Sequence, residues 1–539
     1  MDRTARQAWV VGLVAFAVLL PGAFFGLPNK PMAGAERVLQ GEVIYRDFWT
    51  LYAPGSYYAI AGLLAVFGKQ VLVQAIAGLV LRAAAVGAFF ALLRELGGSG
   101  RLAGGLALLM TLALWEITPE LGTYAGVLPA GLGSLLLGAR FIHGKAGAPS
   151  LLAAGLLLGL GATFKHDVAA YFALATCAGI LASGRPAGER FAACTRLILG
   201  ALAVALPVIA LLAWKAGPDA WHDLVVFPAT DFRTVRAERY PGLLPELHFL
   251  RAWLAAPGDL ALARDTAVHG SRWLLGNGPQ LAWLGALVFL VRRRAELKCE
   301  AFAGLVLGLT ALPFFWLAAH VQQNTHLLSM ALMSFVMGTV VWTRVPAWRG
   351  FCTVVLVFLA PGLLVPPVLE AWLPLRVWSG WAAADLPGCA GVLVSPREAE
   401  YYGRIAEFID DNVPPGEAIH AGVTRNDSIV VSNTRLYYLV NRPAATRYQE
   451  LHPGVTDREP VQLEMIEDLE RAGVRCLILW RFGQSEAAAE AAIARRREGI
   501  PDAGATLLDE WVAEHFKLAF AVDEYDILWR RDAGEPVLR

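Results

Sequence analysis

Charge is scarce in these 539 residues: Asp, Glu, Lys and Arg together make up 17%, against about 25% in an ordinary soluble domain. The 46 basic and 46 acidic side chains cancel, so no global basic field points to nucleic acid, and each Lys and Arg has to be read by position. Cysteine is scarce too. The six are scattered, with no CxxC pair and no His-rich ligand spacing, which removes a zinc site and a disulfide framework as organising features. Cys389 and Cys476 are a candidate pair only if the C-terminal part lies outside the cell. No internal repeat or low-complexity tract is present, and this weighs against secondary transporters built from duplicated halves. A Gly-rich phosphate loop is also missing, so no nucleotide-sugar site is expected. Nor is there a cleavable signal: "AWVVGLVAFAVLLPGAFFGL" is long enough to span a bilayer and lacks an A-x-A site near its end, so it reads as a first transmembrane helix.

What fills the space is apolar. Hydrophobic residues reach 56% and the mean hydropathy is +0.49, the signature of a membrane protein. Apolar runs near 8–27, 71–93, 102–117, 123–142, 149–164, 168–183, 196–214, 272–291, 300–319, 325–343 and 350–372 predict about eleven transmembrane helices. The stretch 56–67 is too short to span and suits an interfacial or re-entrant helix. With "MDRTAR" in the cytoplasm, the inner connections carry Arg94 and Arg101, Arg140 and Lys145, Arg185, Arg190 and Arg196, Arg292 to Arg294 with Lys298, and Arg344 with Arg349. Every short inner loop is then basic, as the positive-inside rule requires. The expected fold is a polytopic all-α membrane bundle over 1–375, with a first outer loop at 28–70 and a second at 215–271, followed by an extracytoplasmic α/β domain over 376–539.

That tail changes character from about residue 391. "REAEYYGRIAEFIDDNV" and "QLEMIEDLERAG" carry helical spacing, the second closed by Gly473; "EAIHAGV" and "VRCLILW" read as short buried strands, and "FKLAFAVDEYDILWRR" as a hairpin turning at Asp523-Glu524.

The residues that carry chemistry gather on the outer side. In "GEVIYRDFWTLYAPGSYY" the aromatics read as interface anchors. Asp47, between Arg46 and that aromatic ring beside Tyr45, reads as a partly desolvated base, or else as a surface pair or helix cap. "FKHD" wedges Lys165, His166 and Asp167 between two apolar runs; charge at that depth suggests function, and a tight turn is the alternative. In "ATDFRTVRAERYPG", Arg233, Arg236 and Arg239 near Tyr240 offer forked donors suited to phosphate, unless Asp231 and Glu238 neutralise them. "AAHVQQNTHLL" places His320, Gln322, Gln323 and His326 at an outer turn, where sugar hydroxyls or a phosphate are more natural partners than a metal. Glu116 and Glu120 read as helix-end solvation. In the tail, "GVTRNDSIVVSNTRLYYLVNRPAATRYQELHPG" is the most polar and aromatic-rich segment, a candidate for acceptor docking or for covering the membrane site.

A transmembrane start, then "ERVLQGEVIYRDFWTLYAPGSYYAIAGLLAVFG", then the Arg-containing "VLVQAIAGLVLRAAAVGAFF", resembles the opening of polytopic GT-C glycosyltransferases, most closely the family 39 or protein-mannosyltransferase-like set that includes bacterial lipid A aminoarabinose transferases. The resemblance implies interfacial helices and a catalytic carboxylate in the first outer loop, and a sugar on a polyprenyl phosphate as donor. It also marks a departure: the family's early acidic pair is missing from "FFGLPNKPMAG", and the loop's only carboxylates are Glu36, Glu42 and Asp47. Asp47 matches a later aromatic-Asp element of the family, so either Asp47 or Glu36 takes over as base.

The expected activity is an inverting sugar transfer to an extracytoplasmic acceptor, with Asp47 or Glu36 as base and Lys165 and Arg236 stabilising the departing phosphate. The expected partners are a lipid-linked donor, the cytoplasmic membrane and an acceptor glycan, lipid or protein, with no nucleic acid. No metal cluster is indicated and no cofactor is expected, although Asp47 and Glu36 are compatible with sharing a divalent cation. The alternatives are a transporter or flippase of a lipid-linked precursor, for which Arg82 inside the second span is the residue to watch, and a non-catalytic membrane scaffold.

Overall fold

The structure, a computed structural model, describes residues 3–27, 31–115, 120–227, 247–293, 298–318, 324–344, 346, 349–350, 352–356, 360, 380–428, 433–481 and 486–538. The chain forms two compact units that are not linear stretches. One comprises residues 1–23, 76–208 and 238–373, the other 24–75, 209–237 and 374–539. The first outer loop is therefore built into the same unit as the C-terminal tail.

The first unit is helical. Helices Arg3–Leu19, Val71–Glu95, Gly100–Ala113, Thr123–Ile142, Ser150–Phe164, His166–Leu181, Ala187–Ala216, Leu260–Arg293, Cys299–Ala318 and Asn324–Arg344 follow the apolar runs of the sequence. Among the described residues, the segments 3–24, 71–95, 123–142 and 187–216 are long and apolar enough to cross a membrane. Of the last expected span, residues 350, 352–356 and 360 are described, all as helix.

Small residues let these helices approach closely. A Cβ on Gly155 would lie 2.1 Å from the Leu197 carbonyl oxygen, and one on Gly200 2.4 Å from that of Leu152, so the two helices meet backbone to backbone. Arg82, the charge that kept a transport reading open, is buried and donates 3.0 Å to the Leu114 carbonyl just past the Gly100–Ala113 helix. It ties one helix to the end of another. Glu95, also buried, accepts at 2.8 Å from both His143 and Lys145, with Arg140 at 3.8 Å, and so joins the ends of two helices through their basic connection.

The second unit is an α/β body. Strands β1 (Ala382–Ala383) and β2 (Leu393–Val394) pair antiparallel. Strands β3 (His420–Val423), β4 (Cys476–Trp480), β5 (Phe516–Val522) and β6 (Tyr525–Arg530) form a sheet in the order β3-β4-β6-β5, with β3 parallel to β4 and the other pairs antiparallel. The β5–β6 turn lies at Asp523-Glu524, where Asp523 takes φ +50°. Helix Pro396–Asn412 opens with a capping box between Ser395 and Glu398, and helix Glu459–Arg471 is followed by Gly473 at φ +59°. Cys389 and Cys476 are separate buried thiols.

Trp49 of the first loop and Phe227 share one apolar core with Tyr448, Leu451, Met465, Leu477 and Trp511 of the tail. This corrects the reading of the loop's aromatics as interface anchors. Tyr45, Phe48, Trp49 and Tyr57 are all buried, Trp49 in the core shared with the tail and Phe48 edge-on to Tyr57, while Tyr58 is exposed.

His420 on β3 is 1% exposed, and burial holds its pKa down at about 4. A histidine kept neutral by burial stabilises the fold fully above its unfolded pKa of about 6.5, and that stability is lost as pH falls toward the folded value. For so deeply buried a group the loss is about 3 kcal/mol. Melting temperatures of the full chain should therefore fall between pH 7 and 4.5 more steeply than those of His420→Leu; equal slopes would remove His420 as the cause.

Candidate active site

The first loop begins with helix Pro31–Leu39, which carries Glu36 and Arg37 on consecutive positions. Gly34 lets it lie against helix Gly55–Phe67, since a Cβ there would come within 2.5 Å of the Tyr57 ring. The chain then turns at Gly41 (φ +92°) and reverses again through the 44–48 turn. There Tyr45 sits at φ +71°, an uncommon conformation for a bulky residue. It is held by its N–H to the Phe48 carbonyl (2.8 Å), its hydroxyl to the Tyr52 carbonyl (2.8 Å) and its own carbonyl, which accepts from Arg447 (2.7 Å).

Arg37 fastens this loop to the tail. It donates to the carbonyls of Thr446 (3.0 Å) and Asp47 (2.7 Å), pairs with Glu42 and lies 5.2 Å from the Phe48 ring centroid. Trp49 N–H donates to the Arg447 carbonyl (3.0 Å), and Thr50 donates to Glu450 (2.9 Å) while sharing a 2.9 Å hydrogen bond with the Tyr57 hydroxyl.

Asp47 and Glu36 fare differently in this frame. The Asp47 carboxylate accepts from Arg46 through both oxygens (2.8 and 2.7 Å) and from the Val43 N–H (2.7 Å). Arg46, chiefly, holds its pKa below the ordinary carboxylate value. The expectation of a carboxylate made basic by desolvation does not describe Asp47, because the arginine and the turn amide stabilise its anion. Its geometry is that of a turn clamp. Asp47→Asn is expected to lower stability by about 1 kcal/mol, read by thermal unfolding.

Glu36 is buried, 9% exposed. Burial raises its pKa, and the Lys69 ammonium, 3.1 Å away, opposes that rise. Beside it opens a cavity of about 380 Å³, inside the range of about 300–1,000 Å³ usual for small-molecule sites. Glu36 and Gln40 line it from the loop, and Tyr437, Asn441, Arg442 and Gln449 from the tail. The tail side is fixed in place. The Tyr437 hydroxyl accepts from the Ala421 N–H (2.9 Å), Asn441 takes φ +48°, and Arg442 is held by the Val413 and Val440 carbonyls and Asp410. A carboxylate with raised basicity thus faces a polar chamber whose walls cannot easily rearrange.

The cavity's tail residues come from the polar and aromatic segment noted in the sequence. Lys69 and the pairing of loop with tail were not legible there; the one available signal was the density of Arg, Tyr, Asn and Gln between 433 and 450.

Lys165, His166 and Asp167 belong to the helical unit, where Lys165 interrupts two helices in extended conformation (φ −156°, ψ 96°). Its ammonium pairs with Asp167 at 3.2 Å and lies 5.5 Å from the Tyr124 ring, while His166 is exposed. Arg46 is exposed and occupied by Asp47. Arg233, Arg236, Arg239, Tyr240, His320, Gln322 and Gln323 lie outside the described residues, as does the side chain of His326. Among the described residues no group of three His, Cys, Asp or Glu is placed to hold a metal ion.

No family model matches the chain, and no curated protein matches it. Solved structures similar to it include an oligosaccharyltransferase from Archaeoglobus fulgidus tethered with an acceptor peptide, at 11% identity and a TM-score of 0.44, covering 95% of this chain and 72% of that one. ArnT from Cupriavidus metallidurans, bound to undecaprenyl phosphate, matches at 12% and 0.42, covering 98% and 99%. The arabinofuranosyltransferase AftD from Mycobacteria matches at 15% and 0.45, covering 99% of this chain and 40% of that one. These three neighbours are GT-C glycosyltransferases. At this level of likeness the chemistry of the chain rests on its own residues.

Proposed function

We propose that this chain is a glycosyltransferase of the cytoplasmic membrane that moves a sugar from a polyprenyl-phosphate donor to a hydroxyl of an extracytoplasmic acceptor, with Glu36 as the general base. The observation that carries the reading is a buried, Lys69-paired carboxylate of raised pKa facing a rigid polar cavity. In the reaction Glu36 takes the acceptor's proton, the freed oxygen attacks C1 of the sugar, and the C1–O bond to phosphate breaks with inversion. The lipid phosphate leaves with its electron pair. Lys165, Arg233 and Arg236 are proposed to stabilise that phosphate, with His166, Asp167, Tyr240, His320, Gln322 and His326 as further substrate contacts. On this proposal the N-terminus lies in the cytoplasm, the membrane domain with its two outer loops spans 1–375, and the tail over 376–539 lies outside, in one unit with the first outer loop.

Initial rates of sugar release from defined polyprenyl-phosphate sugars, in proteoliposomes given a panel of hydroxyl-bearing acceptors, test the reading. Transfer that depends on Glu36 supports it. Transfer by the parent that survives Glu36→Gln unchanged would overturn the assignment of the base.

A further inference from the structure

The lining of the cavity beside Glu36 offers a ligand hydrogen bonds but no uncommitted cation. Arg37 and Arg442 both line it, yet every nitrogen of the two guanidiniums already donates. Those of Arg37 go to Glu42 and to the Thr446 and Asp47 carbonyls. Those of Arg442 go to the Val413, Val440 and Asn441 carbonyls and to Asp410. A phosphate or a uronate brought in here would meet the Glu36 carboxylate with no free positive charge in the lining to offset it. A neutral ligand meets no such cost.

Amide side chains supply the polar contacts instead. Gln40 on the loop side and Asn441 on the tail side line the cavity, are exposed, and make no side-chain hydrogen bond among the described residues; Gln449 adds a third amide from the tail. Each carries a donor and an acceptor side by side, which suits the adjacent hydroxyls of a sugar ring, since every hydroxyl both gives and takes. Ala33, Pro443 and Ala444 contribute apolar lining for the C–H face of such a ring. The wall at Pro443 and Ala444 is pinned to the chain just before β3, by the Ile419 N–H to the Pro443 carbonyl (3.0 Å) and the Ala445 N–H to the Ile419 carbonyl (2.9 Å). Its shape is therefore built into the backbone. The volume of about 380 Å³ equals about a dozen waters at roughly 30 Å³ each, room for a sugar ring with its hydroxyls. A serine or threonine side chain would leave most of that space to water.

We propose that the acceptor is a glycan that enters this cavity through a neutral hexopyranose, one hydroxyl of which gives its proton to Glu36 while its oxygen takes the new bond to C1 of the donated sugar. The proposal rests on Glu36 as the base and adds to it the class of acceptor.

Saturation-transfer NMR and calorimetric titration of the purified full chain, with no donor present, test it. The probes are the methyl glycosides of glucose, galactose, mannose and N-acetylglucosamine, the methyl glycoside of glucuronic acid, and a capped seryl peptide. At least one neutral glycoside is expected to bind saturably, and more tightly than the glucuronide or the peptide. Gln40→Ala and Asn441→Gly should each weaken that binding about fivefold. Glycine keeps the left-handed backbone at Asn441 (φ +48°) and Gln40 is exposed, so both variants should melt with the parent. Glu36→Gln, neutral and of the same shape, should still bind the glycoside. Saturable binding of no neutral glycoside, binding of the glucuronide or peptide as tight as that of every neutral glycoside, or unchanged affinity in either amide variant would overturn the proposal. Its failure is distinct from that of the base. Transfer that ignores Glu36 while a neutral glycoside still binds removes the base and leaves the sugar site; transfer that needs Glu36 in a chain that binds no neutral glycoside removes the glycan acceptor and leaves the base.

Discussion

Replacing Glu36 by Gln is expected to lower sugar transfer by about 10²- to 10⁴-fold, the range a positioned general base supplies, while leaving the protein at least as stable as the parent. The two readouts separate because of what burial does to Glu36. Its pKa is raised in the folded chain, so the ionised form costs stability above the unfolded pKa, and the neutral amide relieves that cost. A carboxylate serving only the fold would show the opposite, a drop in melting temperature with activity reduced only in proportion. Lys69 sharpens the test. Its ammonium at 3.1 Å favours the anion, so Lys69→Met should raise the Glu36 pKa further and move the acid limb of kcat/KM to higher pH. Should the limb stay in place, Lys69 has no positioning role; should it vanish in Glu36→Gln together with most of the rate, Glu36 is the group that titrates.

The helical unit was readable in advance because hydropathy is a local property. A run of apolar residues of spanning length needs no partner far away in the chain to be recognised; most of the described helices begin and end within a few residues of those runs, whereas Ala187–Ala216 and Leu260–Arg293 start well before theirs and Arg3–Leu19 ends well short of its run. The tail's strands and helices were legible for a similar reason, through alternation, helical spacing and turn residues. The candidate site was not, because its two halves are about four hundred residues apart: Arg37 meets Thr446, Thr50 meets Glu450, and Trp49 enters a core otherwise supplied largely by the tail. Nothing local in "AERVLQGEVIYRDFW" says that its carboxylates meet opposite environments. Asp47 stood out in the sequence beside Arg46, and that neighbour is what lowers its basicity. Glu36 was the alternative base on the loop resemblance alone, and nothing in its local sequence shows the burial that raises its pKa.

Arg37→Met should have the largest effect on stability. The guanidinium is only 11% exposed and joins Glu42, two backbone carbonyls from different segments, and the Phe48 ring. A thioether of similar length fills the space but donates nothing. It leaves the Thr446 and Asp47 carbonyls and the Glu42 carboxylate without their shared donor at a partly buried site. Breaking a pair of this kind from one side costs about 3–5 kcal/mol, which for a unit of this size corresponds to a fall of about 10 °C in melting temperature. Arg37→Lys should recover little of it, since one ammonium cannot reach three acceptors in the plane of the guanidinium fork. Because Arg37 follows Glu36 on the same helix, loosening it should also release the base from its cavity. Limited proteolysis would then open the 40–47 turn, and transfer would fall although no catalytic atom has changed. An Arg37→Met protein that melts with the parent and resists protease at that turn would show that the loop is held to the tail by its apolar core, with Trp49 and Phe227, and not by this arginine.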